Sequence, residues 1–330
     1  MNTRGTEIVL NILIFISILA LLFVVGYPQY KEAQPSKVKI GVDKSFGALP
    51  FYVAKFDTTR RYYQLEKLIP EFIEINDNPL EGIKNGAYDI AAVPWYLLII
   101  SPSYDGDTVR AFSSVDFKRV PDAIVISKKS KIKNLKGLEG KRLGYLTNDE
   151  YLVNLFLSDL EQEYRIKKLT KVFLQPYELT TAIIENKVDA LYIVDPYLSY
   201  RLYEGDTILV EGLFTMFSRL STLPYMAIVM RKSFVKNNTG AAIRLKNAIE
   251  ATIGYLQVHP EVGKNTLLKI NDWPSEPTLI LYLRMPEYQR LSQVDLKAIE
   301  NLQSLLVRKG ISTCGIKPSE FLFEKSNFIK

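Results

Sequence analysis

Few residues in this 330-residue chain carry the chemistry that breaks covalent bonds. It has one histidine, His259, and one cysteine, Cys314. A site that needs two imidazoles is therefore excluded, as are an internal disulfide, a thiolate zinc cluster and a CxxC redox pair. His259 precedes Pro260 in a helical stretch, the position of a helix-boundary residue rather than of a general base. What the sequence offers is recognition chemistry. Phe46, Trp95, Tyr96, Tyr151 and Tyr197 fall at the ends of expected strands, and aromatic faces hold flat or cationic ligands with about 0.5–2 kcal/mol per contact. Such rings also pack helices on sheets, and for Trp95 and Tyr96 both roles stay open. Ser45, Ser114, Thr147 and Asn148 add small hydrogen-bonding groups at the same level. Asp195 can accept a hydrogen bond from a ligand or cap the helix that starts at Pro196. Asp89 and Asp189 suit turn stabilisation, and no pattern calls for a cofactor or a metal.

These residues are positioned by a pattern that occurs twice. Val38–Val42 reads as a strand, 43–47 as a loop, and a helix begins near Leu49; a strand over 71–75, a helix over 80–84 and the run Asn85-Gly86-Ala87-Tyr88-Asp89-Ile90-Ala91-Ala92-Val93-Pro94 follow. The second copy has a strand over 142–145, a loop at Thr147-Asn148, helix 151–160, strand 172–174, helix 179–185, and ends in Val188-Asp189-Ala190-Leu191-Tyr192-Ile193-Val194-Asp195-Pro196. Gly41 to Asp89 spans 48 positions and Gly144 to Asp189 spans 45. Alternating strands and helices predict an α/β fold with parallel sheets, whose ligands sit beyond the carboxyl ends of the strands. Two further strands, each opened by a proline (121–127 and 224–230), read as crossings between the halves. The expected organisation is an N-terminal segment (1–36), a first lobe (37–115), a second lobe (116–220), and a return to the first lobe with C-terminal helices (221–330), closing about a ligand on a two-strand hinge.

From Ile8 to Val25 the chain is apolar apart from Asn11 and Ser17, about 27 Å as a helix and close to the hydrocarbon thickness. Arg4 precedes it, no A-x-A site or lipid-bearing cysteine follows, and the Tyr27–Ser36 stretch reads as a tether. An uncleaved transmembrane anchor is favoured over a removed signal, with the remainder outside the cytoplasmic membrane. The net charge of +6 is spread thinly. Its densest run, Lys128, Lys129, Lys131, Lys133 and Lys136, lacks interleaved aromatics and reads as a solvated face, not a nucleic-acid site.

At the level of motifs, Val188-Asp189-Ala190 followed by Val194-Asp195-Pro196-Tyr197, the run from Ser130 to Lys141 (SKIKNLKGLEGK), and Gly86-Ala87-Tyr88-Asp89-Ile90-Ala91 resemble the periplasmic solute-binding proteins for nitrate, sulfonates, taurine and thiamine-pyrimidine precursors. The similarity covers about residues 37 to 325, with Gly137 where an aspartate is usual. It implies a two-lobed periplasmic-binding-protein (type II) fold, preceded here by the N-terminal transmembrane helix, that delivers a solute to an ABC permease and its ATPase. The candidate ligand contacts, read from their places at the strand ends and loops, are Ser45, Phe46, Trp95, Tyr96, Ser114, Thr147, Asn148, Asp195 and Tyr197. One departure bears on the ligand. Sulfonate- and nitrate-binding relatives tend to hold the anion on a Gly/Ser-rich loop at a helix N-terminus, whereas this loop is Thr147-Asn148-Asp149-Glu150. If those carboxylates face the cleft, an anion 4 Å away meets about 4 kcal/mol of repulsion at an effective dielectric near 20. The expected solute is a small organic molecule of the sulfonate-like or pyrimidine-precursor-like class, with a neutral or cationic, planar one such as a pyrimidine precursor preferred. The competing readings are a membrane-anchored sensor and an enzyme on the same fold. Thiamine-pyrimidine synthases use a histidine and a cysteine-rich segment, whereas here His259 lies in the tail and Cys314 is alone, and menaquinone-pathway enzymes work in the cytoplasm.

Overall fold

The computed structural model describes residues 3–26, 34–75, 78–101, 109–117, 122–146, 150–213, 216, 220, 222–313 and 315–324. Along the chain, α1 (Thr3–Leu21) precedes β1 (Ser36–Val42), α2 (Leu49–Phe56), α3 (Tyr62–Leu65), β2 (Leu68–Glu74), α4 (Pro79–Lys84), β3 (Ile90–Pro94), α5 (Trp95–Ile100) and β4 (Val109–Phe117). Then come β5 (Asp122–Ile126), β6 (Arg142–Leu146), α6 (Glu150–Tyr164), β7 (Thr170–Leu174), β8 (Ala190–Val194), α7 (Tyr197–Tyr203) and β9 (Thr207–Glu211). The tail comprises β10 (Leu223–Arg231), α8 (Lys232–Asn237), α9 (Thr239–Val258), α10 (Pro260–Ile270), α11 (Pro277–Tyr282), β11 (Glu287–Arg290) and α12 (Leu296–Arg308).

The strands form two sheets, ordered β11-β4-β10-β3-β1-β2 and β7-β6-β8-β5-β9. Each has a parallel centre, β2-β1-β3 or β7-β6-β8. The expected parallel pairing holds at these centres, while β10, β5, β9 and β11 pair antiparallel with their neighbours. Topology explains it. A chain arriving from the other lobe enters where the parallel strands end, so Asp122 at the start of β5 faces Val194 at the end of β8, and Met226 near the start of β10 faces Pro94. β3 and β8 are buried along their whole length, as strands covered on both faces must be.

The internal repeat is visible in atoms. The Asp89 carboxylate accepts the Lys39 backbone N–H at 3.0 Å, and that of Asp189 accepts the Arg142 N–H at 2.8 Å. Each aspartate thus pins the entry to its lobe's last parallel strand onto the first, at Lys39 midway along β1 and at Arg142 where β6 begins. Cations close both sites, Arg231 on Asp89 at 2.7 Å and Arg142 on Asp189 at 3.1 Å. The two glycines used to align the copies also match in role. A Cβ on Gly41 would lie 2.8 Å from the Tyr88 ring, and one on Gly144 would lie 2.6 Å from Leu174 and 2.9 Å from Leu191 and Val188. Gly144→Ala should therefore cost about 1–3 kcal/mol by overpacking. A denaturant midpoint equal to that of the wild type would show that the β6–β8 layer yields freely.

Two expectations along the chain are revised. The helix expected over Leu179–Glu185 is a 3-10 turn over Pro176–Thr180 followed by turns. The Thr180 carbonyl, which a continuing α-helix would need, accepts Arg201 Nη1 at 2.6 Å instead. The return of 221–330 to the first lobe is also incomplete. Leu268, Trp273, Leu279 and Leu283 pack in the apolar cluster of the second lobe, Ser199 donates to the Tyr282 carbonyl at 2.9 Å, and Arg284 bridges Glu211 at 2.8 Å. The tail is a third link between the sheets, beside the two expected strands.

At the N-terminus, α-helical geometry stops at Leu21 and a π-helical turn occupies Leu22–Gly26. The single span expected over Ile8–Val25 is thereby shortened, and among the described residues no helix is long and apolar enough to cross a membrane. Its side chains are nevertheless exposed and apolar, Phe15 at 64% and Phe23 at 65% among them. Residues 27–33 of the expected tether lie outside the described residues.

Candidate functional site

The carboxyl ends of β1, β3 and β4 and the starts of β10 and β11 lie at one edge of the first sheet. The ends of β6, β8 and β9 and the start of β5 lie at the facing edge of the second. In the loop after β1, Asp43 Oδ1 accepts the Ser45 hydroxyl at 2.6 Å and its amide at 3.1 Å, while Gly47 N–H donates to Ser45 Oγ at 3.1 Å. Ser45 is thus part of a tight turn that presents the Asp43 carboxylate. Phe46 is fully buried, edge-on to Phe117 with centroids 5.9 Å apart, and Phe117 in turn lies 5.4 Å from Tyr225.

Trp95 follows β3 directly and has no exposed surface. Its indole N–H donates to Ser114 Oγ at 2.8 Å, its ring meets Phe321 edge-on at 6.3 Å, and the Ser114 hydroxyl donates to Asp116. The ligand roles expected for Phe46, Trp95 and Ser114 therefore meet groups already occupied in this conformation, with the Ser114 proton committed to a carboxylate. Tyr96 is buried beside them. Asp116 is 1% exposed. Burial drives its pKa up to about 7, helped by the charges of Asp295 and Glu287 against hydrogen bonds from Ser114 and Gln289.

In the second lobe, the Asp195–Pro196 bond is cis, and Asp195 is 2% exposed. Its Oδ1 accepts the Ser199 hydroxyl at 2.6 Å and the Ser199 amide at 3.0 Å, so this oxygen serves the start of α7. Its Oδ2 is buried without a partner. The two roles left open for Asp195 thus map to different oxygens, one that caps and one that is still available. Burial raises the Asp195 pKa to about 6 despite Ser199 and nearby Arg284. Tyr197 packs edge-on to Trp273 at 5.7 Å. Burial raises its hydroxyl pKa, and the charge of Asp43 across the lobes raises it further. The structure thereby brings Asp43 of the first lobe within electrostatic reach of Tyr197 of the second. Thr147 and Asn148 lie outside the described residues, as do Asp149 and Cys314, so the loop-carboxylate argument has no geometry to rest on there.

Sequence reasoning missed most of the charge at these facing edges. Asp43, Asp116 and Glu287 stand on the first lobe, and Asp122, Asp195 and Glu211 on the second. Arg284, carried in by the third link, is the cation that reaches them through Glu211 and Asp195. Asp116 follows the Ser-Ser pair before the first crossing, which was a usable signal; nothing in the local sequence marks Arg284. Among the described residues no group of three His, Cys, Asp or Glu side chains is arranged to hold a metal ion.

Comparison with known proteins agrees with this architecture. A family model described as NMT1/THI5 like matches residues 46–262, well over half of the chain. A Bacillus subtilis (strain 168) protein assigned to aliphatic sulfonate binding is 23% identical over 255 residues, covering 72% of this chain and 71% of its own. The alkanesulfonate-binding protein SsuA from Xanthomonas axonopodis pv. citri, bound to MOPS, superposes with a TM-score of 0.66 at 17% identity, over 88% of this chain and 99% of its own. The periplasmic aliphatic sulphonate binding protein SsuA from Escherichia coli gives 0.62 at 15% identity, over 90% and 100%. The two sheets with their helical layers are therefore the periplasmic binding protein fold, and by the extent of the matched model the chain belongs to the NMT1/THI5-like family.

Proposed function

We propose that this chain is an extracytoplasmic solute-binding protein that captures a small organic ligand between its lobes and delivers it to an ABC-type permease with its ATPase. The lobes follow the bounds expected from the sequence, with the first crossing moved past the end of β4: residues 37–117 with 221–330 form one and residues 122–220 the other, with 268–284 of the tail lying on the second. Relatives that bind sulfonates support solute capture as the activity. Those relatives also support the sulfonate-like class as ligand, and one feature of the site favours a donor-bearing solute over it. The carrying observation is the unpartnered, buried Oδ2 of Asp195 at an edge that also bears Glu211 and Asp122 and faces Asp43. A buried acceptor without a donor costs about 1–3 kcal/mol, which a ligand N–H would recover and a sulfonate oxygen would not. The preferred solute is neutral or cationic, planar and donor-bearing, of pyrimidine-precursor type rather than sulfonate type. Asp195, Tyr197, Ser45 and Tyr96 are the proposed contacts, backed by Phe46, Trp95 and Ser114 from within the first lobe. The N-terminal helix and its π-helical extension act together as the membrane attachment, supported by the exposure of Phe15 and Phe23.

Calorimetric titration with taurine, an alkanesulfonate and an aminopyrimidine checks the ligand class. The aminopyrimidine should bind, and Asp195→Asn should weaken it at least tenfold, the loss expected for a charged hydrogen bond of about 1.5–3 kcal/mol. Tight binding of the sulfonate alone overturns the class. Small-angle scattering checks capture itself, since a bound ligand should reduce the radius of gyration.

A further inference from the structure

The basic run between β5 and β6 gains its meaning from what the fold sets beside it. Lys128, Lys129, Lys131, Lys133 and Lys136 are all exposed. They follow the end of β5 remote from the candidate site, since Ile126 pairs with Thr207 while Asp122, at the other end, pairs with Val194. The turn after α6 brings exposed Arg165, Lys167 and Lys168 to this same pole. Two backbone bonds clasp the segments, Gly140 N–H to the Lys168 carbonyl at 2.8 Å and Thr170 N–H to that of Lys141 at 2.9 Å. With Lys141 and Lys171, residues 127–141 and 161–171 carry ten cations against the carboxylates of Glu139, Glu161 and Glu163. Neither the lysines from 128 to 136 nor Lys167 or Lys168 form an ion pair among the described residues. A stable fold gains nothing from such crowding, because like charges repel.

We propose that this pole of the second lobe is an electrostatic docking surface for an anionic phospholipid membrane. Three observations select lipid over other polyanions. The cations are nearly all lysine, whose compact ammonium serves as a point charge, whereas arginine supplies the fork that reads phosphates and bases bidentately. No aromatic is interleaved from Lys128 to Lys136 to stack on bases, as single-strand binders require. The chain also carries, on α1, an exposed apolar surface suited to a bilayer. That helix joins the first lobe at Ser36, the end of β1 remote from the candidate site, so helix and pole would hold opposite lobes at the membrane with the binding edges between them. The surface is separate from the solute site and does not depend on the ligand assigned there.

Vesicle flotation of the full chain tests this, with phosphatidylcholine vesicles made with and without phosphatidylglycerol. The helix partitions into both, so the ratio of bound fractions isolates the headgroup contribution. At about 1 kcal/mol per basic residue near an anionic surface, the wild type should prefer the anionic vesicles at least tenfold at low salt and lose that preference at high salt. The K128Q/K131Q/K133Q variant should lose most of it, while a K44Q/K269Q/K297Q control, with the same charge removed from exposed positions of the first lobe remote from both the pole and the Ser36 end, should keep it. Equal binding to both vesicles overturns the proposal. So does equal loss in both variants, which would show a net-charge effect, and so does pole-dependent binding of an oligonucleotide without lipid preference.

Discussion

The ligand-free protein should resist unfolding better at pH 5 than at pH 8. Asp116 carries the effect. Its carboxyl titrates at 3.8 when unfolded and is raised to about 7 in the native state, first by burial and then by the charges of Asp295 and Glu287. Between these values the folded protein holds a proton that the unfolded chain has released. Stability therefore falls as pH rises through this window, the reverse of the usual salt-bridged carboxylate. The difference corresponds to about 4 kcal/mol between pH 4 and pH 7 at 1.36 kcal/mol per unit. Asp195, raised to about 6, adds to the same slope over a narrower range. Denaturant unfolding followed by circular dichroism across pH 4–8 measures the slope directly, and Asp116→Asn should remove most of it. A wild-type profile that is flat or rises toward pH 8 would mean that Asp116 is not buried as described. A cationic ligand at the facing edges should flatten the slope by stabilising the ionised carboxylates.

Arg201→Ala should destabilise the second lobe by about 3–5 kcal/mol, the cost of leaving one member of a buried ion pair without its partner. The Arg201 and Asp206 side chains are 3% and 7% exposed and meet at 2.7 Å. The guanidinium also donates to the Thr180 carbonyl at 2.6 Å, so its loss strands both a charge and a backbone acceptor. Burial already raises the Asp206 pKa with Arg201 in place, and without it the carboxyl must take up a proton or admit water. The pair is expected to specify the turn after Pro176 more than to add net stability, so a double replacement by Met and Leu should recover the part of the loss due to the stranded charge and keep only the roughly 1–3 kcal/mol of the unpaired Thr180 carbonyl. An Arg201→Ala unfolding free energy within 1 kcal/mol of wild type would show that Asp206 is relieved by solvent.

The amino-acid pattern alone carried the repeat, because each half must bury a strand on both faces. Ile90–Pro94 and Ala190–Val194 are continuous apolar runs, each introduced by an aspartate that binds the first strand's backbone. The same local logic marked His259 as a helix boundary, and it caps α9 in the structure. It also placed Trp95 and Asp195 at strand ends, on the edge of each sheet where the parallel strands finish. It could not apportion Asp195 between capping and recognition, since that depends on which oxygen Ser199 reaches. The antiparallel entry of β5 and β10, the 3-10 turn at Thr180 and the third link at 268–284 depend on where distant chain segments arrive. Local periodicity is blind to arrival.

Charge shows the same division. A run of five lysines reads as a solvated face when only its neighbours in sequence are seen, and as a pole of ten cations once β6 and β7 are joined in register. Asp116 and Glu287 are 171 positions apart in the chain, yet become cross-strand partners. Residue type set what each group can do, but its proton affinity and its partners come from burial and proximity, and those exist only after the two sheets have closed on one another.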